Sequence, residues 1–359
     1  MTPGIEFNSR LGDIPDYPSA GNYAFGGDLV KLASNESPFG PPAAVVGAIQ
    51  GQLETLNRYP DPEKSALRKA IAARAGLGPE RVAVGNGSCE ILLAAGDALL
   101  EPGAELIYAW PSFSVYPMLA AQSGATEIRV PLDADARHDL DAMATEITAA
   151  TRLIVICNPN NPTGTALPIE QIDAFVASVP DHVAVILDEA YVEFNLLQDP
   201  DDSLDLLAKH SNLILLRTFS KIYGLCGLRA GYALGSDRFR RAIDQVRQPF
   251  SVNALAQAAA AEAVRHQDEI ARRVEATVIE RVHMESELAE RGLDHAESQA
   301  NFTWLSVGDR DEEAIVKGLA DRGVIVRAGS ALGEEGRMRV TFGTRRENDR
   351  FLAELDALL

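Results

Sequence analysis

The sequence predicts an α/β fold, a mostly parallel sheet covered by helices, followed by a smaller α+β C-terminal domain. Three observations carry this. Between residues 41 and 265, short β-branched and aliphatic runs alternate with helical segments, the pattern of strands buried on both faces. Near residue 253 the alternation gives way to about 40 residues of helical composition. Beyond it lie three strand-like runs and two helical ones.

Residues 1–30 are polar and rich in Pro and Gly, and read as an irregular arm. AAVVGAIQGQLETL (43–56) and SALRKAIAARAG (65–76) read as helices. The strand-like runs that follow are RVAVG (81–85), ELIYA (105–109), TEIRVPL (126–132), RLIVICN (152–158), VAVILDE (183–189), NLILLRT (212–218) and AGYALG (230–235). The stretch 253–292 predicts two helices or one bent helix, ending at the C-capping Gly292. NFTWLSV (301–307), VIVRA (324–328) and RMRVTF (337–342) predict strands, with helices over 311–323 and at the C-terminus. The expected partition is an arm (1–30), a large domain (31–265) and a small C-terminal domain (266–359) packed with the arm.

The 359 residues carry 33 Lys+Arg against 52 Asp+Glu, a formal charge of −19. That acidity argues against binding a phosphate backbone, which needs a basic face. Hydrophobic residues make up 46%, enough for a large core. Cys89, Cys157 and Cys226 are too few and scattered for a disulfide framework, and their spacing fits no metal site. No apolar segment follows a basic start, and the longest apolar runs are far shorter than a membrane span. A cytoplasmic protein without membrane or nucleic-acid partners is expected.

In open α/β sheets ligands bind beyond the carboxyl ends of the strands, so the residues after each run matter most. After RVAVG, the turn Asn86-Gly87-Ser88-Cys89 opens an apolar helix, which suits an anion; taken alone, Ser88 reads first as a plain helix cap. After ELIYA comes Trp110-Pro111-Ser112-Phe113-Ser114-Val115-Tyr116, in which an aromatic could stack on a planar ring or join the core. NPNNPTG (158–164) sets three asparagines in a sharp turn. Asp188 follows five apolar residues; half-buried there, it needs a cationic or N–H partner, or caps a helix. Lys221 follows Ser220 in a Gly-rich apolar setting, with Arg229 eight residues on. Desolvation and nearby cations lower an amine's pKa, as imine chemistry requires. Together the loops supply what pyridoxal 5'-phosphate needs: a lysine for its aldehyde, an acid for its ring nitrogen, a stacking face, donors for its phenolate and an anion site.

The chain resembles the fold-type I, class I/II pyridoxal-phosphate aminotransferases, and within them the histidinol-phosphate aminotransferase subgroup with its related aromatic aminotransferases. KLASNESPFGPP (31–42), NRYPDP (57–62), GNGSCE (85–90), NPNNPTG, LDEAYVEF (187–194), RTFSKIYGLCGLRAGY (217–232), ANF (300–302) and MRVTFGT (338–344) carry the resemblance along nearly the whole chain. It implies that Lys221 bonds the cofactor's aldehyde and shuttles the proton between the substrate's α-carbon and C4′. Asp188 would pair the pyridine nitrogen, Tyr191 and Asn161 the phenolate oxygen, and Phe113 would stack on the ring. Ser88, Cys89 (through its N–H), Ser220 and Arg229 would hold the phosphate. Tyr59 would reach the neighbouring subunit's phosphate, implying a homodimer with composite sites. Arg339, Arg327, Tyr17 and Asn35 fall where the family binds substrate, and Arg339 is expected to grip a carboxylate or phosphate. Where relatives usually read NGSDE this chain has Cys89. PFSVNALAQAAA (249–260) and YAWPSFSVYP (108–117) look more like the aromatic (phenylalanine) enzymes, NGSCE more like the histidinol-phosphate ones.

The expected reaction is transfer of the amino group of L-histidinol phosphate to 2-oxoglutarate, as in histidine biosynthesis. The alternative is an aromatic amino-acid aminotransferase, and a more distant one a phosphothreonine decarboxylase, which needs no acceptor. A non-enzymatic regulator on this scaffold carries a DNA-binding module, for which a 30-residue acidic arm leaves no room.

Overall fold

The computed structural model describes residues 5–15 and 27–359. Its strands are β1 (Val30–Lys31), β2 (Val82–Gly85), β3 (Glu105–Trp110), β4 (Thr126–Pro131), β5 (Thr151–Cys157), β6 (Ala184–Asp188), β7 (Leu213–Thr218), β8 (Gly231–Leu234), β9 (Phe302–Ser306), β10 (Val324–Ile325), β11 (Arg327–Ala328) and β12 (Arg337–Thr341). Seven of them form one sheet in the order β2-β8-β7-β6-β5-β3-β4. All its pairs are parallel except those of β8, which runs antiparallel to both neighbours. The mostly parallel sheet expected from the apolar runs is present.

Residues alternate between the two faces of this sheet. Ile154, Ile156, Val185, Leu187, Leu213 and Leu215 fill one core. Leu153, Val155, Cys157, Ile186, Ile214 and Leu216 fill the other. Each large side chain so buried contributes about 1.5–3 kcal/mol. Asp188 and Thr218 continue the second face beyond the apolar rows, which puts polar groups at the carboxyl end of the sheet.

The long helical stretch is two helices, Ala254–Ala263 and Gln267–Glu290, and Gly292 follows in the left-handed region (φ 68°). The second helix joins two cores. Ile270 packs with the large sheet, whereas Met284 and Leu288 pack with β9, β10 and β12 residues such as Leu305, Val324 and Val340.

Several boundaries differ from expectation. The helix predicted over 43–56 stops at Gln50, where Gly51 ends it, and resumes only as a 3-10 turn at Leu53–Thr55. The strand predicted over 324–328 is split: β10 pairs with β1, and β11 with β12. Val30 and Leu32 belong to the C-terminal core rather than to an arm or the large unit, because their N–H groups bond to Gly323 and Ile325 carbonyls. The end of the arm packs with that unit, Asp28 pairing with Arg346 and accepting from Arg350 through its carbonyl, whereas residues 9–13 lie elsewhere. Arg10 donates to the Gln122 carbonyl (3.1 Å), which sets the turn Ser9–Asp13 against helix Tyr116–Ser123. Among the described residues no helix is long and apolar enough to cross a membrane.

Candidate active site

A cavity of about 510 Å³ opens at the carboxyl ends of β5, β6 and β7, between the large sheet and β11–β12. Ser88, Cys89, Phe113, Asn161, Asp188, Tyr191, Ser220, Lys221, Arg229, Asn35, Arg327 and Arg339 all line it. Residues spread over more than 300 positions of sequence meet there. Tyr17 lies outside the described residues. Tyr59 does not line the cavity of its own chain; it is 82% exposed and stacks on Phe250, with ring centroids 4.6 Å apart.

At one end, β2 turns through Gly87 into helix Ser88–Leu99. The capping residue is Gly87, not Ser88, which is the first residue of the helix. Glycine is required because its φ is +80° and a Cβ would come within 2.3 Å of the Arg229 guanidinium. The close approach brings Arg229 over the helix N-terminus, where free N–H groups and the dipole already favour an anion. Arg229 also donates to Ser220 Oγ (3.2 Å) and the Cys226 carbonyl (3.1 Å). On the other side Gly231 lets β8 touch the same turn, since a Cβ there would meet the Ser88 nitrogen at 2.3 Å. A hydroxyl pair, a guanidinium and a helix N-terminus thus form a cradle for a phosphate-sized anion.

In the middle of the cavity, Asp188 is 3% exposed. Its Oδ2 accepts from the Tyr116 hydroxyl (2.9 Å) and its Oδ1 from the Ala190 N–H (3.2 Å). Burial pushes its carboxyl up to about 6, against the pull of these two donors. Lys221 is half-buried, and its ammonium donates to the Ser34 carbonyl (3.0 Å) and lies 5.6 Å from the Tyr191 ring centre. Burial, and next the positive charge of Arg339, lower its amine to about 8. An acid held near neutrality and an amine brought down toward it share one cavity.

The three asparagines of NPNNPTG divide their work. Asn158 closes its own turn, donating to the Leu167 carbonyl and accepting from the Leu167 N–H. Asn160 joins three loops: its Oδ1 accepts from Ser112 Oγ (2.7 Å) and lies 3.1 Å from His138 Nε2. Asn161 faces the cavity, and its Oδ1 accepts from Arg339 (2.5 Å). Tyr191 Oη accepts from the Asn35 amide (2.9 Å). Asn161 and Tyr191 each retain an N–H or O–H to donate.

At the far end, Arg327 and Arg339 sit directly opposite each other on β11 and β12. Both are only 6% exposed, so neither is a surface charge. Arg339 donates to the Ala33 carbonyl (2.6 Å) and lies over the Phe302 ring (5.5 Å). Like charges facing each other across a strand pair repel, and an anion between them relieves the repulsion. The cavity therefore has an anion-binding device at each end.

Tyr116, Ser34, Cys157 and the buried pair Arg217–Glu189 (2.8 Å) also belong to the neighbourhood, and reading the strand ends does not single them out. The signal for Glu189 and Arg217 lies in strand parity. Each is one residue out of phase with a cavity-facing side chain, Asp188 or Thr218, so it points through the sheet.

Comparison with known proteins agrees with this geometry. The family model "Aminotransferase class I and II" matches residues 27–355. An aromatic amino acid aminotransferase of Cutibacterium acnes is 43% identical over 342 residues, covering 95% of each chain. A histidinol-phosphate aminotransferase of Moorella thermoacetica is 40% identical, over 92% of this chain and 86% of its own. Among solved structures, a histidinol-phosphate aminotransferase from Sinorhizobium meliloti in complex with pyridoxal-5'-phosphate superposes with a TM-score of 0.90 over 100% of both chains, at 27% identity. With the matched model spanning nearly the whole sequence and the fold shared from end to end, the chain belongs to the class I and II aminotransferases.

Proposed function

We propose that the protein is a pyridoxal-phosphate-dependent aminotransferase acting on an aromatic L-amino acid and a 2-oxo acid. The observation that carries the aminotransfer is the single cavity holding Lys221 and Asp188 between two anion sites. The donor set fits the cofactor: Ser88, Ser220, Arg229 and the helix N-terminus suit its phosphate, and Asp188 its ring nitrogen. Asn161 and Tyr191 suit its phenolate oxygen, and Phe113 its ring face. When bound, the cofactor's ring accepts the electron pair left as the substrate's α-carbon loses its proton. Asp188 keeps a proton on the ring nitrogen. Lys221, as free amine, would take the proton from the substrate's α-carbon and hold it for return. Arg339 turns its fork to the substrate's carboxylate and so orients the α-carbon toward Lys221.

The donor is named from two supports. Relatives 40–44% identical bear the name aromatic amino acid aminotransferase, and Phe113 and Leu332 give the cavity apolar walls. The Moorella relative and the opposed Arg327–Arg339 pair favour a second reading, L-histidinol phosphate as donor, with its phosphate between the arginines. Initial rates with phenylalanine and with histidinol phosphate, each with and without 2-oxoglutarate, test both. A kcat/KM for phenylalanine at least tenfold higher is expected. The reverse order installs the second reading, and turnover of either donor without the acceptor overturns aminotransfer.

A homodimer with composite sites belongs to the same reading. Tyr59 is exposed beside the exposed Leu53 and Leu56, in a Pro-flanked turn that holds the backbone stiffly. Tyr59→Phe removes one donor from a charged acceptor and should weaken cofactor binding by roughly 1.5–3 kcal/mol. Mixed with Lys221→Ala, it should form hybrid dimers in which both lesions fall in one site and the other is native. Activity then rises above that of either parent, to at most about half of wild type per hybrid. Subunit exchange without recovery would place Tyr59 outside the partner's site.

A further inference from the structure

Tyr116 lies three residues beyond Phe113, at the first position of helix Tyr116–Ser123, and is 0% exposed. Its hydroxyl reaches Asp188 Oδ2 at 2.9 Å. Its ring meets Phe113 edge to face, with centroids 5.7 Å apart and planes at 88°. A second edge contact, with Tyr108 at 5.8 Å and 61°, fixes the ring from behind. One fully buried phenol therefore touches both Asp188 and Phe113.

We infer that Tyr116 is a positioning residue for the proposed cofactor: its hydroxyl sets the direction and basicity of the Asp188 carboxylate, and its ring edge sets the tilt of Phe113. The inference rests on the cofactor reading above. A buried carboxylate with few donors is a strong base, and would draw the shared proton off the ring nitrogen and weaken the electron sink. Two donors restrain it here, the Ala190 N–H on Oδ1 and the Tyr116 O–H on Oδ2. The Ala190 donor is backbone, supplied by the turn whatever the side chain. Tyr116 is the side chain that supplies the other. It stays protonated as a donor, because burial and the neighbouring carboxylate push its own phenol well above the ordinary value. Cys157, Glu189 and Lys221 also act on this pair, and Cys89 and Tyr191 interact with the same carboxylate. The Cys157 thiol is held neutral by burial. Glu189 raises the Asp188 carboxyl and Lys221 lowers it, both less than the two hydrogen bonds do.

The test uses holoenzyme reconstituted with pyridoxal phosphate labelled with 15N in the ring. In Tyr116→Phe the ring remains against Phe113 and only the hydroxyl is lost. The 15N shift should move toward that of an unprotonated pyridine. Loss of a hydrogen bond to a charged group should lower kcat about tenfold, with KM within about twofold. In an Asp188→Asn background the same change should leave the shift and kcat where Asp188→Asn alone puts them, since no carboxylate remains to restrain. Fluorotyrosine at position 116, a stronger donor of nearly the same shape, should move the shift the opposite way, and it reads the effect even if the Phe variant folds poorly. A wild-type shift in Tyr116→Phe, or equal losses with and without Asp188, overturns the inference while leaving the cofactor reading standing. Wild-type protein that takes up no pyridoxal phosphate overturns both.

Discussion

Lys221→Ala is expected to abolish turnover, to below about one ten-thousandth of wild type, because on the proposed reading it removes both the amine that bonds the aldehyde and the base that moves the α-proton. The visible absorbance of a lysine-bound cofactor should vanish with it. Cofactor should still bind through the cradle of Ser88, Ser220 and Arg229, which Lys221 does not build. Its release on dialysis should therefore be slower than from a variant lacking Arg229. The pH dependence follows from the lowered amine. Only the neutral amine attacks an aldehyde, and the Lys221 value of about 8 in the cofactor-free protein lies below the usual 10.5. The rate of cofactor uptake should rise with pH through about 8 and then level off. An ordinary lysine would keep gaining up to about 10. Turnover by Lys221→Ala comparable to wild type would remove the proposed chemistry altogether.

The parallel sheet was legible because its strands are buried on both faces, and burial on both faces leaves continuous apolar runs such as LIVIC and VAVIL. The site was legible for a related reason. A polar residue directly after such a run is carried to the carboxyl edge of the sheet, as Asp188 is. What escaped was whatever depends on approach between distant segments. Nothing local in VIVRA separates Val324–Ile325, which pair with β1, from Arg327–Ala328, which pair with β12. The division is set by which backbone groups the two neighbours present. Ser88 reads as a cap because serine caps helices well, yet Gly87 takes the position with a φ of +80°, a backbone conformation that residues with a Cβ rarely adopt. Tyr116 is not singled out by the run after ELIYA, because its approach to Asp188 joins segments 72 positions apart.

Asp188→Asn is expected to trade catalysis for stability. In the cofactor-free protein the Asp188 carboxyl is pushed up to about 6 from 3.8. Below pH 3.8 it is neutral in folded and unfolded chains alike. Between 3.8 and about 6 the folded protein holds a proton that the unfolded chain has released, so stability falls as pH rises through that window. Above about 6 the whole penalty is present, and the shift corresponds to about 3 kcal/mol. An asparagine carries no charge to desolvate, so cofactor-free Asp188→Asn should unfold at higher denaturant than wild type at pH 7.5. The gain should shrink toward zero by pH 4. With cofactor bound the order should reverse in function, because an amide cannot hold the ring nitrogen's proton. Loss of that charge-assisted bond, worth about 1.5–3 kcal/mol, should lower kcat by roughly 10- to 150-fold. The two measurements bear on one carboxylate from opposite sides. A variant with wild-type kcat and no gain in cofactor-free stability would mean that Asp188 is neither a strained buried charge nor the partner of the ring.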